Sequence, residues 1–167
     1  VGGDGVALCV STHPMANGGT WSNLLTTAVL SQTSVEQGLI TVRKAVDFRG
    51  KKVRLIPKRL VISSDNIMQA EVILKSVLRS GNANNDINPI RTMGLLTDGA
   101  SVVSRMTSST AWFMQNDVQD GLKMMTRWPV ERSMEGDFET DSMRYKATQR
   151  QIPGWTDPHD IYGNSGV

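Results

Sequence analysis

The last third of the chain alternates large or apolar side chains with charged ones, and this pattern constrains the fold more than any other feature. Two such stretches, 122–132 and 143–150, flank an acidic turn at 135–141. Period-two alternation is typical of β-strands, so the pattern predicts a long antiparallel ribbon. Pro129 should lie at an edge or a bulge, because proline donates no ladder hydrogen bond. A two-stranded ribbon is only marginally stable alone in water, so we expect it to pack against a partner outside the chain.

Length and composition fit one domain, or one domain with an extension. The 167 residues are enough to bury a hydrophobic core. The single cysteine, Cys9, excludes an internal disulfide. No apolar run approaches the roughly 20 residues that span a bilayer, so no membrane partner is expected. The sequence begins at Val1 without an initiator methionine or a signal peptide, and we expect it to be part of a larger protein.

Charge is distributed unevenly, although the net charge is only +2. The segment 43–59 contains one acid, Asp47, and eight cations: Arg43, Lys44, Arg49, Lys51, Lys52, Arg54, Lys58 and Arg59. Such a cluster can bind phosphate, or it can face an acidic patch on a neighbouring copy. We favour a solvated or subunit-facing cluster, because Phe48 is the only aromatic residue interleaved with the cations.

The residues before the basic segment predict a short strand and one well-defined helix. The apolar run 5–10 is typical of a strand. Thr33 and Ser34 are each followed three residues later by Glu or Gln, which is the spacing of a capping box at a helix N-terminus. Gly50 is the expected helix stop. The apolar stripe of this helix comprises Val35, Leu39, Val42 and Val46.

The middle of the chain predicts alternating strands and helices. A buried strand at 60–62 leads into a helix at 66–78, and the asparagine-rich stretch 82–89 favours a loop. Two strands at 102–103 and 111–114 are expected to pair with each other. The predicted apolar face of the helix comprises Ile67, Ala70, Leu74, Val77 and Leu78.

No combination of residues predicts a catalytic, cofactor or metal site. His159 lies between two aspartates, but His13 is the only other histidine, and adjacent residues rarely converge on one metal ion. A proline turn capped by an aspartate explains that motif better. Cys9 is more typical of a buried thiol than of a nucleophile. The acidic turn lacks the ligand spacing of a calcium loop. We therefore predict that the protein is not an enzyme and holds no cofactor.

Several segments carry a family resemblance through their order along the chain. They are Ser11–Pro14 with the Gly18-Gly19 pair, Pro57–Ile62 leading into Asn66–Leu78, Asp117–Lys123, Asp137–Asp141, Lys146–Thr148 and Gly154–Pro158. In this order the chain resembles the major capsid proteins of tailed bacteriophages with the Hong Kong 97-type fold. It looks closest to the Mu-like major head subunits.

The resemblance implies an α+β fold of two domains. Residues 1–32 would lead into a peripheral domain, whose spine helix would occupy 33–52. Residues 53–120 would form an axial domain, a mixed sheet with flanking helices. The β-ribbon at 121–152 would belong to the peripheral domain, and 153–167 would return toward the axial domain. The N-terminal arm and extended loop of the family are not identifiable before Val1, and no crosslinking residues can be matched.

The resemblance also implies function, partners and location. The expected function is a major capsid subunit that self-assembles into an icosahedral shell around viral double-stranded DNA. Identical subunits in pentamers and hexamers would be the main partners, with scaffolding, portal and decoration proteins as further ones. Contact with packaged DNA would be independent of sequence. The shell would be assembled in the host cytoplasm, and the mature location would be the virion.

The ribbon and its flanks supply the candidate residues for subunit contacts. Aromatic residues and arginines are favoured at interfaces, and acids across the contact would pair with the arginines. The candidates are Arg127, Trp128, Arg132, Asp137, Glu139, Tyr145, Arg150 and Trp155. Two other functions remain open: an encapsulin-like compartment that encloses protein, and a nucleic-acid-binding module that uses the basic segment 43–59.

Overall fold

A computed structural model describes residues 4–79 and 84–166 of the chain. It contains a four-stranded sheet with three helices, a two-stranded N-terminal sheet and a separate two-stranded ribbon. The mixture of helix and strand agrees with the expected combination of α and β structure. Among the described residues, no helix is both long and apolar enough to cross a membrane.

The N-terminal segment is held by one buried side chain rather than by a long strand. Two short strands, β1 (His13–Pro14) and β2 (Thr20–Trp21), pair antiparallel. The strand predicted at 5–10 is wrong, since this stretch has no regular structure. The Asn23 amide explains why. Its oxygen accepts from the Val10 amide at 2.9 Å and its nitrogen donates to the Leu8 carbonyl at 2.6 Å, so these backbone groups need no strand partner.

The first helix, α1 (Gln32–Arg43), begins earlier and ends earlier than the sequence predicts. Its N-cap is Ser31, which forms a capping box with Ser34, so the predicted caps at Thr33 and Ser34 are wrong. The helix stops at Arg43 instead of near Gly50. Gly50, with a φ of 76°, closes a turn with Asp47 instead. Three members of the predicted stripe are buried, as expected: Val35, Leu39 and Val42.

The central sheet consists of β3 (Pro57–Ile62), β4 (Ala100–Val102), β5 (Trp112–Asn116) and β8 (Ile161–Asn164). Their order is β4-β3-β5-β8, with β3 and β4 parallel and the other pairs antiparallel. The predicted pairing of 102–103 with 111–114 is wrong, because β3 lies between β4 and β5. Leu60 and Ile62 of β3 are fully buried, which suits a central strand.

Two helices lie between β3 and β4 in the described part of this connection. A 3-10 turn (Ser64–Asn66) leads into α2 (Ile67–Lys75), and α3 spans Pro89–Thr92. The helix predicted to Leu78 is therefore shorter, and its face is partly wrong: Ala70 and Ile73 are buried while Ile67, Val77 and Leu78 are exposed. Of the predicted loop 82–89, residues 82 and 83 lie outside the described residues, and Pro89 already belongs to α3.

The buried Asn88 side chain ties the three helices together. Its nitrogen donates to the Ile73 carbonyl at 2.7 Å and to the Ser76 carbonyl at 3.2 Å. Its oxygen accepts from the Ile90 backbone amide at 3.1 Å, which caps α3, and from the Gln32 side-chain Nε2 at 3.3 Å. Since these partners belong to α1, α3 and the end of α2, Asn88 fixes the positions of the helix ends relative to one another.

The ribbon consists of β6 (Leu122–Asp137) and β7 (Ser142–Trp155), which confirms the predicted long strand pair. Its register shifts on both sides of Trp128, and Pro129 lies in the second shift. The expectation of a bulge at this proline is confirmed. Beyond it, the register is regular from the pair Glu131–Thr148 to the pair Asp137–Ser142.

Candidate subunit interface

The ribbon buries almost none of its own surface. Every residue of Leu122–Gly136 in β6 and of Ser142–Pro153 in β7 is exposed. Several of the exposed side chains are large and apolar, among them Met124, Met134, Met143, Tyr145 and Ile152. Large apolar side chains left exposed on one element mark a candidate site of interaction.

The distal half of the ribbon is amphipathic. Successive side chains of a strand point to opposite faces, and directly paired residues share a face. The pairs Arg132–Ala147, Met134–Tyr145 and Gly136–Met143 therefore occupy one face, which we call the apolar ribbon face. The opposite face is polar and charged, with the pairs Glu131–Thr148, Ser133–Lys146, Glu135–Arg144 and Asp137–Ser142.

The structure separates some of the predicted interface residues and joins others. Arg132 and Tyr145 lie on the apolar ribbon face, whereas Asp137 lies on the charged face. There Asp137 binds Arg144 of the same chain, with a nitrogen–oxygen distance of 2.6 Å. Arg132 and Asp137 therefore do not meet within one chain.

The other candidates lie at the two register shifts, in the turn and at the base. Trp128 and Arg150 are direct cross-strand partners. Arg127 lies at the first shift, between Thr126 and Trp128. Glu139 lies in the turn, where its amide donates to Asp137 at 3.3 Å.

The Asp160 carboxylate makes a close contact with the base of the ribbon. The Asp160 carboxylate accepts from the Leu122 amide at 3.0 Å. A Cβ added at Gly121 would lie 2.2 Å from an Asp160 carboxylate oxygen, so only glycine fits beside this hydrogen bond. Trp155, the last candidate, ends β7 here and is half-buried. Its side chain lines a cleft of about 450 Å³ that also exposes parts of Trp21, Phe48 and His159.

A stack of three rings next to this cleft was not predicted from the sequence. The Trp21 indole lies between His159, at a centroid distance of 3.9 Å, and His13, at 4.6 Å. Each histidine Nδ1 contacts a carboxylate: Asp4 at 2.7 Å for His13 and Asp157 at 2.6 Å for His159. The spacing of Asp157 and His159, two residues apart, was the only local signal of this arrangement.

Hydrogen bonding favours the charged form of His159. Its Nδ1 faces the Asp157 carboxylate, and its Nε2 faces the Val46 carbonyl at 2.9 Å, so both nitrogens donate. Burial opposes the charge, but these hydrogen bonds outweigh it and raise the pKa of His159 above its ordinary value. The predicted proline turn is confirmed: the Asp157 carboxylate also accepts from the His159 amide and caps the 3-10 turn Pro158–Asp160.

The remaining sequence candidates for chemistry show structural roles. Cys9 is partly buried, and burial raises the pKa of its thiol to about 11, which disfavours the reactive thiolate. Within residues 4–79 and 84–166, no three His, Cys, Asp or Glu side chains are grouped closely enough to hold a metal ion.

The basic segment separates into paired and unpaired cations. Lys58 binds Asp117 at 2.7 Å, and Arg59 lies 3.5 Å from Asp98. The other six cations are exposed, and none of them forms an ion pair with any described residue: Arg43, Lys44, Arg49, Lys51, Lys52 and Arg54. The Arg49 guanidinium lies over the Phe48 ring at 5.0 Å.

Comparisons with known proteins give a family match and a similar solved structure. A family model described as "Phage capsid protein" matches residues 2–164. A search of curated protein sequences finds no match. Among solved structures, the chain is similar to the "Crystal structure of virus-like particle from Pyrococcus furiosus", with 11% sequence identity and a TM-score of 0.48. The similarity covers 85% of this chain but only 56% of that one. Because the family model matches nearly every residue, the chain belongs to the phage capsid protein family, which is a family of structural proteins.

Proposed function

We propose that this chain forms part of the major head subunit of a tailed bacteriophage, with a Hong Kong 97-type fold closest to the Mu-like group. Copies assemble in the host cytoplasm into pentamers and hexamers that close into an icosahedral shell around double-stranded DNA, and the shell becomes part of the virion. Scaffolding, portal and decoration proteins are the further partners of this assembly. Membership of the phage capsid protein family supports the proposal.

The single observation that carries the proposal is the apolar ribbon face. Met134, Tyr145 and Met143 share this face, and their side chains are 67%, 74% and 57% exposed. A ribbon of this length without a packed face lacks the burial that stabilises a sheet. A neighbouring copy supplies the missing surface. Each contact of this kind can be weak, because closure of the shell links many contacts and raises the effective concentration of each partner.

The proposed domains follow the resemblance. Residues 33–52 are assigned to a spine helix, 53–120 to an axial domain and 121–152 to the ribbon of the peripheral domain, with 1–32 and 153–167 joining the two. The central sheet supports an axial domain, although α1 ends at Arg43 and β8 adds a strand from the C-terminal segment. The ribbon supports a second, peripheral unit.

The proposed contacts pair the arginines of one copy with the acids of another. Trp128, Tyr145 and Trp155 are the aromatic anchors. The partners for Arg127, Arg132 and Arg150 are acids of neighbouring copies, such as Asp137 and Glu139. Asp137 also binds Arg144 of its own chain.

A pair of charge reversals on opposite faces of the ribbon tests this function. Arg132→Glu changes the apolar ribbon face, whereas Lys146→Glu makes the same change on the charged face. We expect Arg132→Glu to abolish closed particles in electron microscopy and size-exclusion chromatography, with an unchanged circular dichroism spectrum. Lys146→Glu should still assemble. Normal particles from Arg132→Glu would refute the proposed pairing, and absence of particles from the unmodified protein, both alone and with scaffolding protein added, would refute the shell function.

A contact with nucleic acid is a second candidate activity, supported by the six unpaired cations of the basic segment. Binding through phosphates is independent of sequence and weakens steeply with salt. We expect the protein to bind duplexes of unrelated sequence equally at low salt, and to lose most of this affinity when three of the six cations, Lys44, Lys51 and Lys52, are changed to Glu.

Purified particles that contain a second protein instead of DNA would identify an encapsulin-like compartment.

A further inference from the structure

An open apolar groove lies between α1 and α3. Its volume is about 290 Å³, and its lining includes Leu39 and Ile40 from α1, Ile90 from α3, and Met93 just after α3. Leu39 and Ile90 are buried and form the floor. Ile40 and Met93 are 46% and 69% exposed and form the walls. We refer to this feature as the α1–α3 groove.

The rim of the α1–α3 groove carries a net positive charge. Two charged residues line it, Glu36 and Arg43. Glu36 is already neutralised by Arg79, at a nitrogen–oxygen distance of 2.9 Å, and accepts a further hydrogen bond from Gln32 at 3.0 Å. Arg43 is exposed and forms no ion pair with a described residue. An apolar group next to an anion would therefore complement both the apolar lining and the positive rim of the groove.

The tip of the ribbon has this composition. Phe138 is 103% exposed, so its ring touches nothing in its own chain. Two exposed acids follow it in the turn, Glu139 and Asp141, and neither forms an ion pair with any other described residue. Asp141 has a φ of 52°, a left-handed conformation that turns the chain back into β7. The tip thus presents one phenyl ring beside uncompensated negative charge.

The tip of a chain cannot reach the groove of the same chain. The 16 residues of β6 span about 50 Å at roughly 3.3 Å per residue. Both faces of the ribbon are exposed along this length, so the ribbon does not fold back over the sheet or the helices. A ring that occupies the groove must therefore come from another molecule.

We propose that Phe138 of one copy inserts into the α1–α3 groove of a second copy, with Glu139 facing Arg43. This contact rests on the proposed function, since it names the surface on which the ribbon of a shell subunit ends. The groove is large enough, because a cavity of about 150 Å³ accepts benzene. Met93 at its wall is a flexible thioether that packs well against aromatic rings. The contact joins different surfaces, so it propagates from copy to copy instead of closing a dimer.

A directed disulfide between two different variants tests the contact. Both carry Cys9→Ser; one also carries Phe138→Cys and the other Met93→Cys. Mixing them under mild oxidation should give a disulfide-linked heterodimer on a denaturing gel, in at least about ten-fold greater yield than a control mixture. The control replaces Met93→Cys with Met68→Cys, an α2 position that is 78% exposed and does not line the groove.

Charge reversal adds a second readout. Arg43→Glu in the Met93→Cys variant should reduce the heterodimer yield, and Glu139→Lys in the Phe138→Cys variant should restore it. Equal yields from the Met93 and Met68 mixtures would overturn the contact. A dominant homodimer of Phe138→Cys would overturn it as well, since ribbon tips would then meet each other.

Electron microscopy of the unmodified protein separates this contact from the proposed function. Closed particles without the Met93–Phe138 crosslink would refute the contact and leave the shell function intact. The crosslink without closed particles, even with scaffolding protein added, would support the contact and refute the shell function.

Discussion

The central sheet and the ribbon are both built from β-strands, yet they stand in opposite relations to solvent. Trp112 in β5 is fully buried and its indole nitrogen donates to the Ala28 carbonyl at 3.1 Å, whereas Trp128 in β6 is 47% exposed. Helices and neighbouring strands cover the central sheet. The ribbon has only its own two strands. Strand pattern therefore determines local structure in both regions, but only the central sheet has a covering surface within the described residues of the chain.

Amide hydrogen exchange should show the largest difference between the two regions. Amides in β5 should exchange only through global unfolding, which costs about 5–15 kcal/mol in a typical domain. Amides in the distal ribbon should open locally, so in the unassembled chain they should exchange at least about 1,000-fold faster than the β5 amides. This factor follows from the difference in opening free energy, since roughly each 1.4 kcal/mol changes the rate ten-fold. Mass spectrometry of exchanged peptides measures both regions at once. Equal protection of both regions would contradict the comparison, and protection of the ribbon should rise on assembly.

Tryptophan truncation should separate the regions by stability. Trp112→Ala removes a buried indole from the core and should lower the free energy of unfolding by about 3–5 kcal/mol. Trp128→Ala is the matched control and should change it by less than about 0.5 kcal/mol. Urea denaturation monitored by circular dichroism measures both. Similar losses from the two variants would mean that the ribbon packs against the rest of the chain.

Thiol reactivity should distinguish the regions by about 100-fold. Burial raises the pKa of Cys9 from 9.0 to about 11, which lowers its reactive thiolate fraction about 100-fold at neutral pH. A cysteine at the exposed ribbon position in the variant Met143→Cys, with Cys9→Ser, should react at the rate of a free thiol. A chromogenic disulfide reagent measures both rates. Equally fast reaction of the native Cys9 would show that the N-terminal segment opens readily.

The smallest expected effect is a pH dependence that arises from His159 and Asp157, outside the ribbon. Because the pKa of His159 is raised above 6.5, its contribution to stability is complete below that pH and is lost as pH rises through the higher value in the folded state. The hydrogen bond to His159 lowers the pKa of Asp157 below 3.8 against the effect of burial. The contribution of Asp157 to stability is therefore present above pH 3.8 and is lost as pH falls through its lower pKa in the folded state.

Denaturation across pH tests this assignment. We expect the free energy of unfolding to fall as pH rises above about 6.5, and His159→Gln to remove this fall. The ribbon variant Tyr145→Ala should keep the native pH profile. An unchanged profile in His159→Gln would assign the dependence to another group.

The sequence predicted the elements whose pattern is local. The ribbon needed only period-two alternation from Leu122 to Arg150, and the bulge needed only Pro129. The stripe of α1 was found because Val35, Leu39 and Val42 recur at helical spacing. The interface residues themselves remain predictions, since their partners lie in other molecules.

The errors concern features that depend on distant residues. The segment 5–10 was predicted as a strand, but Asn23 satisfies its backbone from elsewhere in the chain. The prediction that β4 pairs with β5 failed because β3, which precedes both strands in the chain, lies between them. The α1–α3 groove was missed for the same reason: its lining comes from α1, α3 and the residues just after α3, which lie far apart in the sequence. Phe138, an aromatic residue in an otherwise acidic turn, was a local signal of the proposed tip contact.

The junction at Gly121 and Asp160 has a mechanical consequence. Force applied to the ribbon reaches the rest of the chain at the start of β6 and the end of β7. There the hydrogen bond from the Leu122 amide transmits it to the Asp160 carboxylate. Asp160 immediately precedes β8, an edge strand that is paired with β5. The force therefore reaches the ladder between β5 and β8 before it reaches the helices. In a closed shell, tension between neighbouring copies would first strain this strand of only four residues.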